Sequence, residues 1–437
     1  MRARVVAFSL GLFLSISFPV SLFPRSPVPP FSESAPVSTT TREGRLAVFD
    51  DAWERINERY YDQTFHGLDW DAERTNFRAL AAKAGSSQEL YSVLRRMIAS
   101  LNDPHTRIFA PEEKFDWWRP RFVTVGFAIA EIAGLPTVIK VDNNSAAQRA
   151  GVRAGDVIET VNGEAALSLI KTRLANLSGP ASASARFRVF AKLLDGPSET
   201  SVEIAWKGKN GKQKSARFGR YWQQRELGVR VRREQGEYAV IEIEAFTKSI
   251  GVTFARDLKE KLGGARGLIL DLRTNGGGDA EAMSDIASTF LGVGTNLGRF
   301  TDRAGTSFTI STHFRSLLTP DPLAQTKLPL IVLTTERTAS AAEIFVEALR
   351  VSGRATIIGT ETCGCVLAVR TRHLLPDGGL LDVSELDYET AQGQRLEGRG
   401  LKPDAAVTVE RSDLYSGRDP AMELAVSELT RLAIAHR

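Results

Sequence analysis

Apolar residues Leu46, Phe49, Trp53, Ile56 and Tyr60 recur at helical spacing and predict an amphipathic helix. A second helix is predicted over 87–101, with Leu90, Val93, Leu94, Met97, Ile98 and Leu101 on one face. Ser86 and Glu89 have capping-box spacing at its start, and Asn102, Asp103 and Pro104 end it. From 123 the texture changes to short β-rich runs at 123–132, 137–141, 157–161, 185–189 and 201–206, separated by turns. Past 221 it changes again. Residues 238–246 alternate like a half-buried strand, whereas 267–272 and 328–333 are unbroken apolar runs, as strands buried on both faces should be. Helical patterns over 280–291 and 341–351, a short strand at 355–359 and a last helix over 419–435 complete an α/β layer with a parallel sheet.

The N-terminus is of a different kind. Arg2 and Arg4 precede a nearly uncharged apolar run over 5–23, which reads as a secretory signal peptide or an N-terminal anchor. Residues 24–41 are rich in Pro, Ser and Thr and read as a linker. The resulting division is 1–23 signal or anchor, 24–41 linker, 42–120 helical unit, 121–210 β-rich domain and 221–437 α/β core. A length of 437 residues suits two to three domains.

Charge narrows the partners. With 56 basic and 52 acidic residues, a net +4 and no block of like charge, nothing points to nucleic acid. The two cysteines, Cys363 and Cys365, sit two residues apart, where a disulfide is not expected, and are too few for a structural zinc site. They read as small buried residues.

Ser145-Ala-Ala-Gln-Arg-Ala-Gly-Val-Arg-Ala-Gly-Asp156, followed by Val161-Asn-Gly163, resembles a PDZ domain. The resemblance implies a carboxylate-binding loop at Val125, Gly126 and Phe127, against which a peptide adds as a β-strand.

Ser340 falls between a buried strand and a helix, where free backbone N–H groups and the helix dipole face its hydroxyl. A serine there is ordinarily only an N-cap. Three further segments change that reading. Gly267-Leu-Ile-Leu-Asp-Leu-Arg-Thr-Asn-Gly-Gly-Gly278 resembles the G-L-I-L-D-L-R-x-N-x-G-G signature of the carboxyl-terminal processing (tail-specific) serine peptidases. Thr338-Ala-Ser-Ala-Ala-Glu-Ile344 resembles their nucleophile segment, and Glu397-Gly-Arg-Gly-Leu-Lys-Pro-Asp404 their E-G-x-G-I-x-P-D segment. The resemblance covers about 45–435 and implies a crotonase/Clp-peptidase-like α/β core. It also implies Ser340 as nucleophile, with an oxyanion hole from the N–H groups of Ala341 and Gly277 (Gly276 and Gly278 being close alternatives).

The chain departs from the family pattern at the base. Where a serine–lysine dyad would place lysine, Gly359-Thr-Glu-Thr-Cys-Gly-Cys365 carries Cys365, and Val369 stands where glutamine is expected. Leu101-Asn-Asp-Pro-His-Thr-Arg107 resembles the family's L-x-D-P-x-T-R segment with His105 at the variable position. The lysine-less branch that includes the tricorn core uses a histidine from this region and a late glutamate. His105 then becomes the base and Glu397 its orienting carboxylate, with Asp103 an alternative orienter. Lys402 is not expected to act as a surrogate base.

The expected function is a serine endopeptidase that cleaves protein substrates recognised through their C-termini, exported to a periplasmic or extracellular site, with no metal or cofactor. Its partners would be protein or peptide substrates, with room for membrane attachment and for an activator or self-association. Two other readings stay open. One is a catalytically silent peptide- or ligand-binding relative that lost the lysine. The other makes Cys365 a reactive or redox thiol.

Overall fold

The computed structural model describes residues 36–113, 120–175, 183–225, 227–313 and 327–435. The signal or anchor at 1–23 lies outside them. Residues 37–437 form one unit.

At its centre is a six-stranded sheet in the order Val229–Glu234, Tyr238–Ile243, Gly267–Asp271, Leu330–Thr334, Thr356–Gly359, Ala405–Ala406. All neighbours pair in parallel except the first two. The unbroken apolar runs are explained by burial on two faces. Ala239, Ile241, Leu268, Leu270, Leu330 and Val332 join one core with the helices Lys248–Lys261, Ala280–Leu291 and Ala341–Val351. The alternate residues Tyr238, Val240, Ile269, Ile331 and Leu333 join a second core against the last helix, Pro420–Ala435.

A second, five-stranded sheet holds Arg107–Phe109, Leu380–Glu389, Asn296–Asp302, Ser307–Ser311 and Ala368–Leu374. Its first strand pairs Arg107 with Asp382 and Phe109 with Leu380. This pairing carries the segment after the third N-terminal helix onto the catalytic body. The helices Arg42–Arg59, Trp70–Lys83 and Ser87–Ala99 share a core with Leu375, Leu381 and Val383 of that body. The middle helix, capped by Asp69, was not expected from periodicity.

The β-rich domain has its own sheet, Phe127–Ile132, Leu135–Val141, Val157–Val161, Ser201–Lys207 and Gln213–Gly219, with Glu164–Ala165 at its side. Gln213–Gly219 pairs throughout with Ser201–Lys207, so the sheet continues past 210. The short strands Arg121–Thr124 and Tyr221–Gln224 pair where the chain enters and leaves this domain.

One expectation is corrected. Residues 185–189, read as a β-run, lie in a helix, Ala183–Ala191. The order Arg186, Phe187, Arg188, Val189 imitates strand alternation. Ala185 and Val189, four apart, instead share a helical face that is buried with Phe190.

Candidate active site

Ser340 occupies the junction between the strand Leu330–Thr334 and the helix Ala341–Val351. Its backbone has φ +58° and ψ −128°, a left-handed conformation rare outside glycine. Such a conformation costs about 1–3 kcal/mol and persists only where its surroundings over-determine it. Here they do. Ser340 N–H donates to Cys365 O at 2.8 Å and to Glu343 Oε2 at 3.1 Å. Ala339 N–H donates to Asn275 O at 3.0 Å, and Cys363 N–H to Thr338 O at 2.9 Å. Ser340 and Glu343 have the reciprocal arrangement of a capping box, each side chain facing the other's backbone N–H. The position is that of an N-cap, at the mouth of the helix and beside the glycine run.

Glu343 is fully buried one turn into the helix. Besides Ser340 it accepts from Thr362 Oγ1 at 2.5 Å, Gly364 N–H at 2.8 Å and Cys365 N–H at 2.9 Å. Burial raises its carboxyl pKa, and these hydrogen bonds oppose the rise. Sequence reading missed this residue, although its place three after Ser340 was the available signal.

The glycine run lies against the nucleophile. A Cβ on Gly277, whose φ is +94°, would stand 2.7 Å from Ser340 Cβ and 3.1 Å from Ala341 N. The N–H assigned to the oxyanion is nonetheless occupied: Gly277 donates to Asn275 Oδ1 at 2.8 Å. Among the described residues, the N–H groups of Ala341, Gly276 and Gly278 have no acceptor.

His105 is placed by an Asx-type turn. Asp103 accepts from His105 N–H at 2.8 Å, from Thr106 N–H at 3.2 Å and from Thr106 Oγ1 at 2.5 Å. Thr106 Oγ1 in turn accepts from Ser384 N–H at 3.1 Å, which ties the turn to the second sheet. The imidazole is 17% exposed, and its Nδ1 lies 3.8 Å from Asp103 Oδ1. That Nδ1 is buried without a hydrogen-bond partner. Burial pushes the His105 pKa down to about 4; Asp103 pulls it up, and Arg107 and Arg188 push it further down.

Glu397 accepts from Val366 N–H at 2.6 Å and Leu367 N–H at 3.1 Å, directly after Cys365. Burial pushes its pKa up to about 8; the two backbone bonds lower it, and the Asp103 charge adds to the rise. Among the described residues no hydrogen bond joins Ser340 to His105, or His105 to Glu397. Ser340, the glycine run and Glu397 thus gather around residues 363–367. His105 faces Asp103, Arg107 and Arg188.

Two further findings were not foreseen. Cys363 and Cys365 are joined as a disulfide, with Cα atoms 5.2 Å apart, which corrects the expectation of two unpaired residues. The corrected helix Ala183–Ala191 reaches this spot as well. Arg188 Nη1 and Ser184 Oγ each lie 3.8 Å from Cys365 Sγ, and Arg188 Nη1 also donates to Ser184 Oγ at 3.1 Å. Reading 185–189 as a strand had hidden this placement.

At the expected carboxylate loop, Val125 is buried and Phe127 begins a strand. Gly126, with φ +91°, leaves no room for a side chain: a Cβ would stand 2.7 Å from Ser145 Cβ. Its N–H donates to Thr124 Oγ1 at 3.0 Å. Arg186, on the helix facing this strand, pairs with Glu131. The remaining described histidines are engaged elsewhere: His66 with Tyr61 at 2.9 Å, His313 with Ser284 at 2.9 Å and His373 with Glu385 at 3.1 Å. Lys402 is exposed.

A strained serine between strand and helix, packed on a glycine run and joined to a small β-domain, defines a PDZ-carrying serine peptidase. Residues 237–407 match Peptidase family S41, 42–99 the Tricorn protease C1 domain and 137–177 the PDZ domain. Together these matches support a PDZ-containing carboxyl-terminal processing peptidase family for the chain. Its relatives include the carboxyl-terminal-processing protease of Synechocystis sp., 28% identical over 418 residues, or 91% of this chain and 89% of that protein. Chloroplastic carboxyl-terminal-processing peptidase 1 of Arabidopsis thaliana is 29% identical over 381 residues, 83% of this chain and 71% of that protein. Among solved structures, the photosystem II D1 C-terminal processing protease aligns with TM-score 0.53 at 24% identity, over 84% of this chain and 93% of that one. Mature CPAF aligns with TM-score 0.66 at 13% identity, over 90% and 96%. The chain is a serine-type peptidase, and its substrates are proteins or peptides.

Proposed function

We propose that the chain is an endopeptidase that uses Ser340 as nucleophile, His105 as base and Glu397 as the carboxylate that orients and stabilises the imidazolium. The observation that carries this reading is the Ser340 backbone, held at φ +58° at the start of the helix and against the Gly277 backbone. The hydroxyl attacks the scissile carbonyl carbon and its proton passes to His105. The oxyanion is held by Ala341 N–H and by an N–H of the 276–278 run that Asn275 leaves free. Collapse expels the amine, which takes its proton from His105. Water then hydrolyses the ester. A neutral imidazole is the form the base must start in, and the low His105 pKa keeps it so. The missing Ser340–His105 bond means that substrate must draw the two together, as in apo sites that tighten on binding.

The relatives' printed names supply the C-terminal preference, and the strand Phe127–Ile132, at the edge of its sheet, is where a peptide would add. The basic, then apolar, N-terminus favours export to a periplasmic or extracellular site. A second reading is favoured by Cys365 at the lysine position and by the unconnected His105: a silent relative that binds peptides without cutting them.

The test is cleavage of casein by the chain without residues 1–35, comparing wild type with Ser340→Ala, His105→Ala and Cys365→Ala. Activity lost in the first two variants supports the histidine mechanism. Activity kept in His105→Ala excludes His105 as base. An inactive wild type that still binds C-terminal peptides favours the silent relative.

A further inference from the structure

The segment 363–367 replaces the family's lysine with a disulfide and is bonded on every side to the nucleophile's support. Cys365 O holds Ser340 N–H at 2.8 Å, Cys363 N–H holds Thr338 O at 2.9 Å, and Gly364 and Cys365 N–H hold Glu343. The two sulfurs are not equivalent. Cys365 is 3% exposed, whereas Cys363 is only partly buried. Cys365 Sγ alone has polar company, the Arg188 guanidinium and the Ser184 hydroxyl at 3.8 Å. Arg188 makes no ion-pair contact with any described carboxylate; Asp103 and Glu397 act on it only at longer range.

We propose that Cys363–Cys365 is a redox-active disulfide, in which Cys363 is the sulfur attacked by an incoming dithiol and Cys365 the sulfur that leaves.

The reductant is a small-molecule or protein dithiol. One of its thiolates attacks Cys363 Sγ, forming a mixed disulfide and breaking the Cys363–Cys365 bond. The electron pair of that bond departs on Cys365 as a thiolate, beside Arg188 and Ser184. The second thiol of the reductant, once deprotonated, attacks the reductant's own sulfur in the mixed disulfide. It closes the reductant's disulfide and releases Cys363, which takes up a proton. Two electrons pass from the dithiol to the protein. Exchange is faster when the leaving thiol has a low pKa, and a neighbouring guanidinium lowers it. Glu343, bonded to the Cys365 amide, opposes that effect, so Arg188 is the group that makes Cys365 the better leaving sulfur.

The consequence for proteolysis rests on the reading of Ser340 as nucleophile; the thiol chemistry does not. Opening the pair removes one of the constraints, beside the Glu343 bonds, on the Cys365 backbone that fixes Ser340 N–H, so the oxidised form is the more competent one.

The experiment uses the full chain, treated with dithiothreitol and quenched over time with an alkylating maleimide that is read by mass. Wild type should gain two labels together, after starting with none. Arg188→Met should be reduced several-fold more slowly, with Arg188→Lys largely restoring the rate. Where Arg188→Met does not fold, Ser184→Ala should show the same slowing in smaller measure. Glutathione, a monothiol, should be trapped on Cys363 by peptide mapping. Thiols already free in air-oxidised protein, a glutathione adduct on Cys365, or equal rates in wild type and Arg188→Met would each overturn the proposal. In parallel, a fluorophosphonate probe of Ser340 should react several-fold more slowly after reduction and recover on reoxidation; an unchanged rate overturns the coupling. A probe that labels Ser340 in neither state overturns the peptidase reading while leaving the thiol result standing.

Discussion

Ser340 and Glu343 are tied through the backbone at 3.1 Å, and the same buried carboxylate reaches across to the amides of Gly364 and Cys365. One side chain therefore fixes both the nucleophile and the loop that stands where the lysine would be. Glu343→Ala strips the acceptor from the buried N–H groups of Gly364 and Cys365 and from the Thr362 hydroxyl, while Ser340 N–H keeps Cys365 O. Each orphaned buried donor costs about 1–3 kcal/mol. Urea denaturation should show a loss of several kcal/mol, with Ser340 labelled far more slowly by a fluorophosphonate. A variant as stable and as reactive as wild type would show that the loop holds itself.

Gly277→Ala tests the close approach of the glycine run. The added methyl would stand 2.7 Å from Ser340 Cβ at a φ of +94°. The left-handed conformation alone costs about 1–2 kcal/mol. Activity should fall by orders of magnitude while thermal melting shifts only modestly. Gly276→Ala, where a Cβ meets nothing within 4 Å, is the control and should keep the fold and the melting temperature.

Much of this was legible in the sequence because burial on two faces leaves a signature. Runs such as Leu268-Ile-Leu270 have no polar residue to turn outward, so the parallel core could be read directly. The nucleophile and glycine segments were legible because strained backbone restricts residue choice over several consecutive positions. Contacts between distant segments were not. Arg188 approaches Cys365 across 177 residues of sequence, and its helix carries an alternation that imitates a strand. The acceptor of the Gly277 N–H was equally invisible, since it depends on the rotamer of Asn275. Glu343 could have been found, because an acidic residue on the buried face of a helix demands partners.

The pH dependence of Glu397 separates its roles. An ionised carboxylate is required beside an imidazolium, and burial pushes this pKa up to about 8. Activity should rise with pH through about 8, and Glu397→Gln should flatten that limb. Stability should move the other way. Between 4.5, the unperturbed value, and about 8, the folded state holds a proton that the unfolded state has lost. This group therefore makes stability fall as pH rises through that window. His105 acts oppositely from about 4 to 6.5, where the unfolded state binds the extra proton. The two slopes oppose each other below 6.5, and above it the Glu397 slope is no longer opposed by His105. Denaturant midpoints at pH 6.5 and 8 should therefore differ in wild type, and less in Glu397→Gln.

Asp103 is the carboxylate nearest the imidazole, with Nδ1 3.8 Å from Oδ1, and its charge is what opposes the downward push of burial on His105. Asp103→Asn keeps an acceptor for the turn but removes that charge. The His105 pKa should then fall below about 4, as read from the imidazole proton shifts by NMR. A weaker base takes the Ser340 proton less readily, so kcat should drop while KM changes little. Asp103→Glu, which keeps the charge but lengthens the side chain, should recover part of the pKa without restoring the turn. If Asp103→Asn leaves the His105 titration where it was and still abolishes cleavage, the residue acts only through the turn. The orienting work at the imidazole would then fall to Glu397.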